Sequence, residues 1–282
     1  MRAVGGGPTG PVLVRHAVHP GLRGLVAGMV GYREHSHEPV LRRQPAGSLV
    51  PVVLSFGPRL EIVHLSHGVG IGAKDSFVAG PMPGHATTSF ESSQHCLQVY
   101  VTPLGASRLF SAPASAIANQ VVDLTDVIPD FDEGFRDRVW SAGRWDRRFA
   151  LLDEALLGLA ARSHEPDPMV AWMWRQIHTS HGSTRIADLV SETGMSHRHV
   201  TTRFTHVIGT TPKVAAAVVR FERAAAALHH HDSIADVAVR YGYADQSHLT
   251  REVVRFSGDT PAQLRAARRP TAHTALGAEL PP

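Results

Sequence analysis

The sequence predicts an α+β protein of two domains, a β-rich N-terminal domain followed by an all-α domain. Three observations lead to this fold class. With 282 residues, the chain is longer than one hydrophobic core usually supports. Up to about residue 125, short apolar runs alternate with glycine and proline, as in sandwiches and barrels. From Phe131 onward the apolar residues recur with helical periodicity, so the two structural classes occupy separate parts of the chain.

The composition is that of an ordinary globular protein, with 43% hydrophobic and 19% charged residues. No apolar run approaches the roughly 18 residues of a membrane span. Residues 1–10 predict a flexible Gly/Pro-rich arm that lacks the apolar core of a signal peptide. The single cysteine, Cys96, excludes an internal disulfide and a multi-cysteine zinc site. We therefore expect a cytoplasmic protein that does not contact a membrane.

The β-rich domain is predicted over residues 11–165. The runs 49–56 and 59–66 flank a Gly-Pro turn and predict a β-hairpin, and the run 96–101 predicts a further strand. Residues 144–162 predict an amphipathic helix, because Phe149 and several leucines fall near one face. This domain is thus expected to end in helices.

The boundary between the domains is expected at the run SHEPDP, residues 163–168, which has two prolines and no apolar residue. Residues 166–270 predict the all-α domain, and residues 271–282 a disordered tail. Residues 180–270 contain twelve Lys/Arg and eight Asp/Glu, a balance of +4, in a chain whose net charge is +3. The basic excess therefore lies in the C-terminal domain.

The all-α domain contains an internal repeat, at residues 190–204 and 238–254. In each copy an amphipathic helix is followed by a glycine and then by a second helix that begins with polar residues. The glycines, Gly194 and Gly242, are 48 positions apart and suit the left-handed turn between two crossed helices. The sequence therefore predicts two helix-turn-helix units.

A helical wheel divides the second helix of each unit into a buried and a polar face. The buried faces are predicted to consist of Val200, Phe204 and Val207 in the first unit and of Leu249, Val253 and Phe256 in the second. The polar faces carry short hydrogen-bonding side chains and a guanidinium. They consist of His197, Arg198, Thr201 and Thr202 in the first unit and of Gln246, Ser247, Thr250 and Arg251 in the second.

These polar side chains suit the edges of DNA bases. Arginine pairs with guanine, glutamine pairs with adenine, and serine and threonine accept several partners. Backbone amides at the helix starts can hold phosphates. The alternative is a pair of solvated helices in an all-α bundle, and two copies within a basic segment favour double-stranded DNA as the partner.

The last hundred or so residues resemble the DNA-binding region of the AraC family of transcription regulators. The matching residues are Ser196, Phe204, Gly209, Thr211, Pro212, Arg220, Arg223, Ala224, Ile234, Ala235, Ala238, Gly242, Asp245, Gln246, Ser247, His248, Arg251, Gly258, Thr260 and Pro261. Val190, Leu249 and Val253 depart from the family pattern in side-chain volume. The resemblance implies that two recognition helices, joined by a long linker helix, enter successive major grooves.

The Pro-started, Ala-rich run 212–230 fits such a linker helix, and the histidines at 229–231 are expected to close it. At 1.5 Å per residue it spans about 28 Å, against grooves about 34 Å apart. One chain would then read two different half-sites.

The N-terminal half resembles, more loosely, the sensor domains of one-component regulators. This likeness implies a ligand-binding or dimerising module that controls the DNA-binding domain. A small-molecule effector, RNA polymerase and a second copy of the chain are the further partners it suggests. Activation is the expected action, and repression stays an alternative.

The alternative function is a cupin-like or DNA-repair enzyme tethered to DNA by the same C-terminal domain. The run HSH at 35–37, with Glu38 and His85, resembles a cupin motif only faintly, because the glutamate directly follows the histidines. Cys96 has no basic neighbour in sequence nearer than Arg108 on its C-terminal side. We therefore predict no catalytic, metal-binding or cofactor-binding residues and no enzymatic activity.

Overall fold

The computed structural model describes residues 2–4, 11–229 and 232–266, with side chains from residue 11 onward. The N-terminal domain contains two antiparallel sheets, of seven strands in the order β1-β2-β3-β10-β5-β8-β11 and of four strands in the order β4-β9-β6-β7. The strands are β1 (Arg2–Val4), β2 (Val12–His16), β3 (Val26–His35), β4 (Val40–Gln44), β5 (Val50–Ser55), β6 (Leu60–Leu65), β7 (Gly72–Lys74), β8 (Phe77–Ala79), β9 (Ala86–Phe90), β10 (Ser93–Val101) and β11 (Val121–Asp123).

The domain has three layers, which are the four-stranded sheet, the seven-stranded sheet and a set of helices. One core fills the space between the sheets and includes Ile62, Phe90 and Cys96. A larger core lies between the other face of the seven-stranded sheet and the helices. These helices are α1 (Pro103–Leu109), α2 (Leu124–Val127), α3 (Glu133–Ser141) and α4 (Trp145–Arg162). The predicted amphipathic helix is thus α4, which buries Phe149, Leu152 and Leu156.

The predicted hairpin between residues 49–56 and 59–66 is wrong in its pairing. Both strands form, but β5 pairs with β10 and β8 in one sheet, and β6 pairs with β7 and β9 in the other. The burial patterns give the physical reason. Most of β5 is buried, as in a strand covered on both faces, whereas β6 exposes Glu61, Val63 and His64. The Gly-Pro turn therefore carries the chain from one sheet to the other.

Three residues of the predicted N-terminal arm are ordered into a strand. Residues 2–4 form β1, which pairs antiparallel with β2. Residues 1 and 5–10 of the predicted arm lie outside the described residues, as do His230, His231 and the predicted tail at 271–282. Among the described residues, no helix is long and apolar enough to cross a membrane.

The C-terminal region is helical, as the sequence predicts. Its helices are α5 (Pro168–Thr179), α6 (Ile186–Glu192), α7 (His197–Ile208), α8 (Pro212–His229), α9 (Ile234–Arg240), α10 (Gln246–Ser257) and α11 (Pro261–Ala266). One core joins α5, α6 and α7 to the first half of α8. A second core joins α9, α10 and α11 to residues further along α8. The described residues therefore confirm the α+β fold class, with one helix shared by two small helical cores.

Candidate nucleic-acid interface

Two tight turns set the crossing of α6 with α7 and of α9 with α10. Gly194 and Gly242 have φ angles of 67° and 69°, in the left-handed region. A Cβ placed on either glycine would meet no atom within 4 Å outside its chain neighbours. The backbone conformation, and not lack of space, therefore requires glycine here. Both predicted helix-turn-helix units are confirmed.

The two recognition helices, α7 and α10, have matching ends. Each has 12 residues and begins at a residue whose side chain caps the helix. The Ser196 hydroxyl accepts a hydrogen bond from the His199 N–H at 3.3 Å, and the Asp245 carboxylate accepts one from the His248 N–H at 2.6 Å. Each ends at a left-handed glycine, Gly209 or Gly258. The caps are 49 positions apart, although the turn glycines are 48 apart, so the second turn is one residue longer.

This alignment of the caps pairs the eight residues that the sequence predicts to contact DNA. His197 corresponds to Gln246, Arg198 to Ser247, Thr201 to Thr250 and Thr202 to Arg251. The structure therefore places all eight at the same four positions of two equivalent helices. These positions fall in the first half of each helix, which is the part that meets base edges when a recognition helix enters the major groove.

Six of the eight side chains are exposed, whereas Thr201 and Thr250 are half-buried. The Thr250 hydroxyl donates to the Gln246 carbonyl at 2.8 Å. The Thr201 hydroxyl oxygen is buried and has no hydrogen-bond partner among the described residues. Thr201 therefore turns its hydroxyl away from solvent, unlike the other residues predicted with it.

The two guanidinium groups of the polar faces are available for a partner. Within the described part of the chain, neither Arg198 nor Arg251 is paired with a carboxylate. The acidic neighbours of Arg251 are engaged elsewhere, because Asp245 caps α10 and Glu252 pairs with Arg220 at 3.2 Å. An arginine without such a partner can make two parallel hydrogen bonds to guanine.

The buried faces agree with the sequence at five of six positions. Val200, Phe204, Leu249, Val253 and Phe256 are fully buried. Val207 is only partly buried, although it corresponds to Phe256 in the alignment of the caps. It lines a cleft beside the N-terminal domain, and the core is completed instead by Ile208, which is 2% exposed.

His248 is a candidate contact residue that the sequence reasoning missed. Its Nδ1 accepts the Ala244 N–H at 3.3 Å, and its ring lies edge-on to Tyr243 at 5.2 Å. Ala244 belongs to the longer second turn, so this ring satisfies an amide of that turn. In the neutral ring the proton is then on Nε2, which makes that atom a hydrogen-bond donor. The sequence could have indicated this residue by its position, three residues after the N-cap residue Asp245 and near the start of the recognition helix.

Helix α8 connects the two units. Its 18 residues correspond to about 27 Å at 1.5 Å per residue. Arg220 near its middle pairs with Glu252 of α10 and lies over the Tyr243 ring at 5.0 Å. The second unit is therefore held on α8 by polar contacts as well as by its apolar core.

The N-terminal domain contacts the C-terminal ends of both recognition helices. The Ala46 N–H donates to the Phe256 carbonyl at 2.7 Å, and Arg43 donates to the Gly258 carbonyl at 2.9 Å and pairs with Asp259. At the end of α7, a Cβ on Gly209 would collide with Pro81 and with the Ala114 carbonyl oxygen. These contacts lie at the last turns of the two helices and leave six of the eight predicted contact residues exposed.

The features that suggested an enzyme do not come together. The His35 and His37 rings lie 5.0 Å apart near the end of β3, whereas His85 lies beside His64. Among the described residues, no group of three or more His, Cys, Asp or Glu side chains could hold a metal ion. Burial raises the pKa of the Cys96 thiol to about 12, which disfavours the thiolate of a reactive cysteine.

Comparisons with known proteins agree with this architecture. Residues 189–267 match the family model of a helix-turn-helix domain. No curated protein sequence matches the chain. The C-terminal domain of AraT, a response regulator from Geobacillus stearothermophilus, is 20% identical with a TM-score of 0.35, covering 39% of this chain and 94% of that one. An apo ToxT variant from Vibrio cholerae strain SCE256 is 8% identical with a TM-score of 0.50, covering 85% of this chain and 96% of that one.

Proposed function

We propose that this chain, whose residues 189–267 match the family model of a helix-turn-helix domain, is a sequence-specific DNA-binding transcription regulator of the AraC type. One observation carries the proposal. Two helices of equal length, with equivalent caps and C-terminal glycines, expose polar side chains from their first halves, including two guanidinium groups that pair with no carboxylate of the described residues. This repeated arrangement suits two successive major grooves of one DNA duplex.

Each side chain has a proposed role in this complex. Arg198 and Arg251 bind guanine through O6 and N7, and Gln246 binds adenine. Ser247, Thr202, Thr250 and His197 make further base or phosphate contacts, and Thr201 offers its methyl group. The Nε2 of His248 donates to a phosphate. Because three of the four pairs of equivalent positions differ in residue type, the two helices read different half-sites.

The N-terminal domain is proposed to control DNA binding. It holds the last turn of α10 through Ala46 and Arg43, and Ser48 donates its backbone N–H to Glu222 of α8 at 2.9 Å. A change in the N-terminal domain can therefore alter how the two recognition helices are held. A small-molecule effector, a second copy of the chain and RNA polymerase are the partners proposed for this control, in a cytoplasmic protein without enzymatic activity.

The salt dependence of binding tests the proposal. A protein that neutralises several phosphates releases their counterions, so the logarithm of the affinity falls linearly with the logarithm of the salt concentration. For one protomer on a selected site we expect a slope on the order of −4 to −8. Fluorescence anisotropy at several salt concentrations measures it. A slope near zero contradicts DNA binding through these helices.

A further inference from the structure

A cleft of about 650 Å³ lies between the helices of the N-terminal domain, the interdomain loop at 163–167 and the last turn of α7. This volume is within the range of small-molecule sites. Its wall is mixed, with apolar side chains such as Phe110, Leu159 and Val207 beside charged groups of both signs. No residue predicted to contact DNA lines it. The cleft is therefore separate from the candidate DNA interface.

Arg108 is a charged group of this cleft that several hydrogen bonds hold in place. Its guanidinium is held from two sides by neutral acceptors, with Nε donating to Ser163 Oγ at 2.9 Å and Nη2 to the Ala160 carbonyl at 3.0 Å. Its side chain is 18% exposed. The third nitrogen, Nη1, lies 2.8 Å from Oε1 of Glu165. The orientation of the guanidinium thus depends on the protein backbone and a serine, and not on its carboxylate partner.

Glu165 is held far less firmly than Arg108. Its side chain is 80% exposed, and it belongs to the interdomain loop. Exposed ion pairs of this kind contribute little free energy, because the carboxylate is almost as well solvated by water. A fixed, half-desolvated guanidinium covered by an exposed carboxylate is an arrangement in which an external carboxylate can replace the internal one.

We propose that this cleft binds a small organic carboxylate, which displaces Glu165 from Nη1 of Arg108 and lays its apolar body against Phe110, Leu159 and Val207. The ion pair with Glu165 shows that a carboxylate fits against Nη1 of Arg108. The apolar wall beyond it provides the contact that inorganic anions lack.

The cleft is connected to the first recognition helix. His206 and Val207 of α7 line it, and Asp167 of the same loop pairs with Arg203 of α7 at 2.5 Å. Asp167 also caps α5 by accepting the Met169 N–H at 2.9 Å. Release of Glu165 therefore alters a loop that is anchored to α7, so the ligand changes DNA affinity. This last step rests on the proposed function, whereas binding to the cleft does not.

The test measures binding of defined probes to the full chain without DNA, by isothermal titration calorimetry. The probes are 3-phenylpropionate and octanoate, with 3-phenylpropanamide and inorganic phosphate as neutral and inorganic controls. We expect both carboxylates to bind in the millimolar range or tighter, and both controls to bind more weakly. Equal binding of the amide or of phosphate, or no binding of either carboxylate, overturns the proposal.

Two variants locate the site. Glu165→Gln removes the internal competitor at an exposed position, so it should tighten 3-phenylpropionate about two- to six-fold, because an exposed ion pair leaves its cation open between about a sixth and a half of the time. Arg108→Gln should abolish binding. Arg162→Gln, at a cleft arginine that pairs with Asp130, is the matched control and should change nothing.

An unchanged or weaker affinity in Glu165→Gln overturns the proposal even if Arg108→Gln fails to fold. Anisotropy with a selected DNA site is the second arm, and 3-phenylpropionate should change the DNA affinity of the wild-type chain but not of Arg108→Gln. Carboxylate binding without any DNA binding would leave the cleft site standing and contradict the proposed function. DNA binding without carboxylate binding would contradict the cleft site and leave the proposed function standing.

Discussion

Arg198 and Ser247 occupy the same position of two equivalent helices, so under the proposed function this position would give the two units different base preferences. A guanidinium at this position suits guanine, whereas a hydroxyl accepts several bases. At another of the equivalent positions the order is reversed, with Thr202 in α7 and Arg251 in α10. Among the four equivalent positions, each recognition helix therefore carries one guanidinium, and the two lie in different turns of their helices.

Replacement of Arg198 by alanine tests base reading at this scale. We expect the best site to lose about 1–3 kcal/mol and the preference to relax at one or two base pairs of one half-site. Gln246→Ala should act likewise on the other half-site. Arg255→Ala is the control, because Arg255 lies over the Phe256 ring near the end of α10. The affinity of each variant for a panel of single-base variants of the site is the measurement. A uniform loss of affinity for Arg198→Ala across the panel would mean that Arg198 contacts a phosphate and not a base.

His95 links stability to pH. Burial, and then the charges of Arg148 and Arg33, lower the pKa of His95 to about 4, and Nη1 of Arg148 lies 2.9 Å from its Nε2. The folded state thus resists protonation while the unfolded state takes up a proton near pH 6.5. Stability from this residue is present above that pH and is lost as the pH falls towards 4.

His95→Gln should therefore reduce the fall of the melting temperature between pH 6.5 and about 4, since glutamine does not titrate and can still accept from Arg148. Thermal unfolding followed by circular dichroism at a series of pH values measures it. His37→Gln, at an exposed histidine, is the control and should leave the pH profile as in the wild type. An identical profile for His95→Gln and the wild type would contradict the buried, neutral state of His95.

The turns between paired helices depend on element geometry more than on side-chain contacts. Because Gly194 and Gly242 are left-handed in open space, an added methyl group meets only a conformational penalty. The second turn is one residue longer than the first. The extra amide of the longer turn is satisfied by His248.

Gly242→Ala should lower the free energy of unfolding by about 1–2 kcal/mol, the cost of a left-handed alanine. Gly158→Ala is the matched control, because Gly158 lies within α4 and its added Cβ would meet only the tip of Arg162. That change should stabilise the protein by about 0.5–1 kcal/mol. Urea denaturation compares the two. Equal effects of the same sign would show that the turn conformation is not what selects glycine.

Local patterns in the sequence predicted elements well and their partners poorly. The helical repeat and five of the six apolar residues predicted for the buried faces of α7 and α10 follow from a periodicity that neighbouring residues set. The partners of β5 and β6 could not be predicted from local patterns, because strand pairing depends on burial across the whole domain. The predicted burial of Val207 was wrong for a similar reason, since the environment of this residue depends on the cleft beside the N-terminal domain. The eight proposed contact residues stay a prediction.

At the scale of the whole molecule, the two domains have separate cores and meet along α7, which contacts α1 and residues 114–116, and at the end of α10. Among the described residues, the C-terminal cores include Ala46 and Leu104 of the N-terminal domain. The polar contacts across the boundary include those of Arg43, Ser48 and Asp259. Because these contacts reach both recognition helices directly, they suit a domain that controls DNA binding.

A fragment from Asp167 to the C-terminus should therefore fold alone and keep its base preference. It retains both helical cores and the Asp167 carboxylate, which caps α5 and pairs with Arg203. A fragment that begins one residue later loses this cap and should be less stable by about 1 kcal/mol. Circular dichroism and anisotropy test both fragments. An unfolded fragment from Asp167 would place the domain boundary elsewhere.

The central claim is that one chain reads two unlike half-sites with α7 and α10. Selection of bound sites from random DNA by the purified full chain tests it most directly. We expect an enriched, non-palindromic site whose two half-sites have centres about 10–10.5 base pairs apart, one helical turn. Enrichment of a single half-site, or of a palindrome, would contradict the double reading. The absence of any enriched sequence would contradict sequence-specific DNA binding itself.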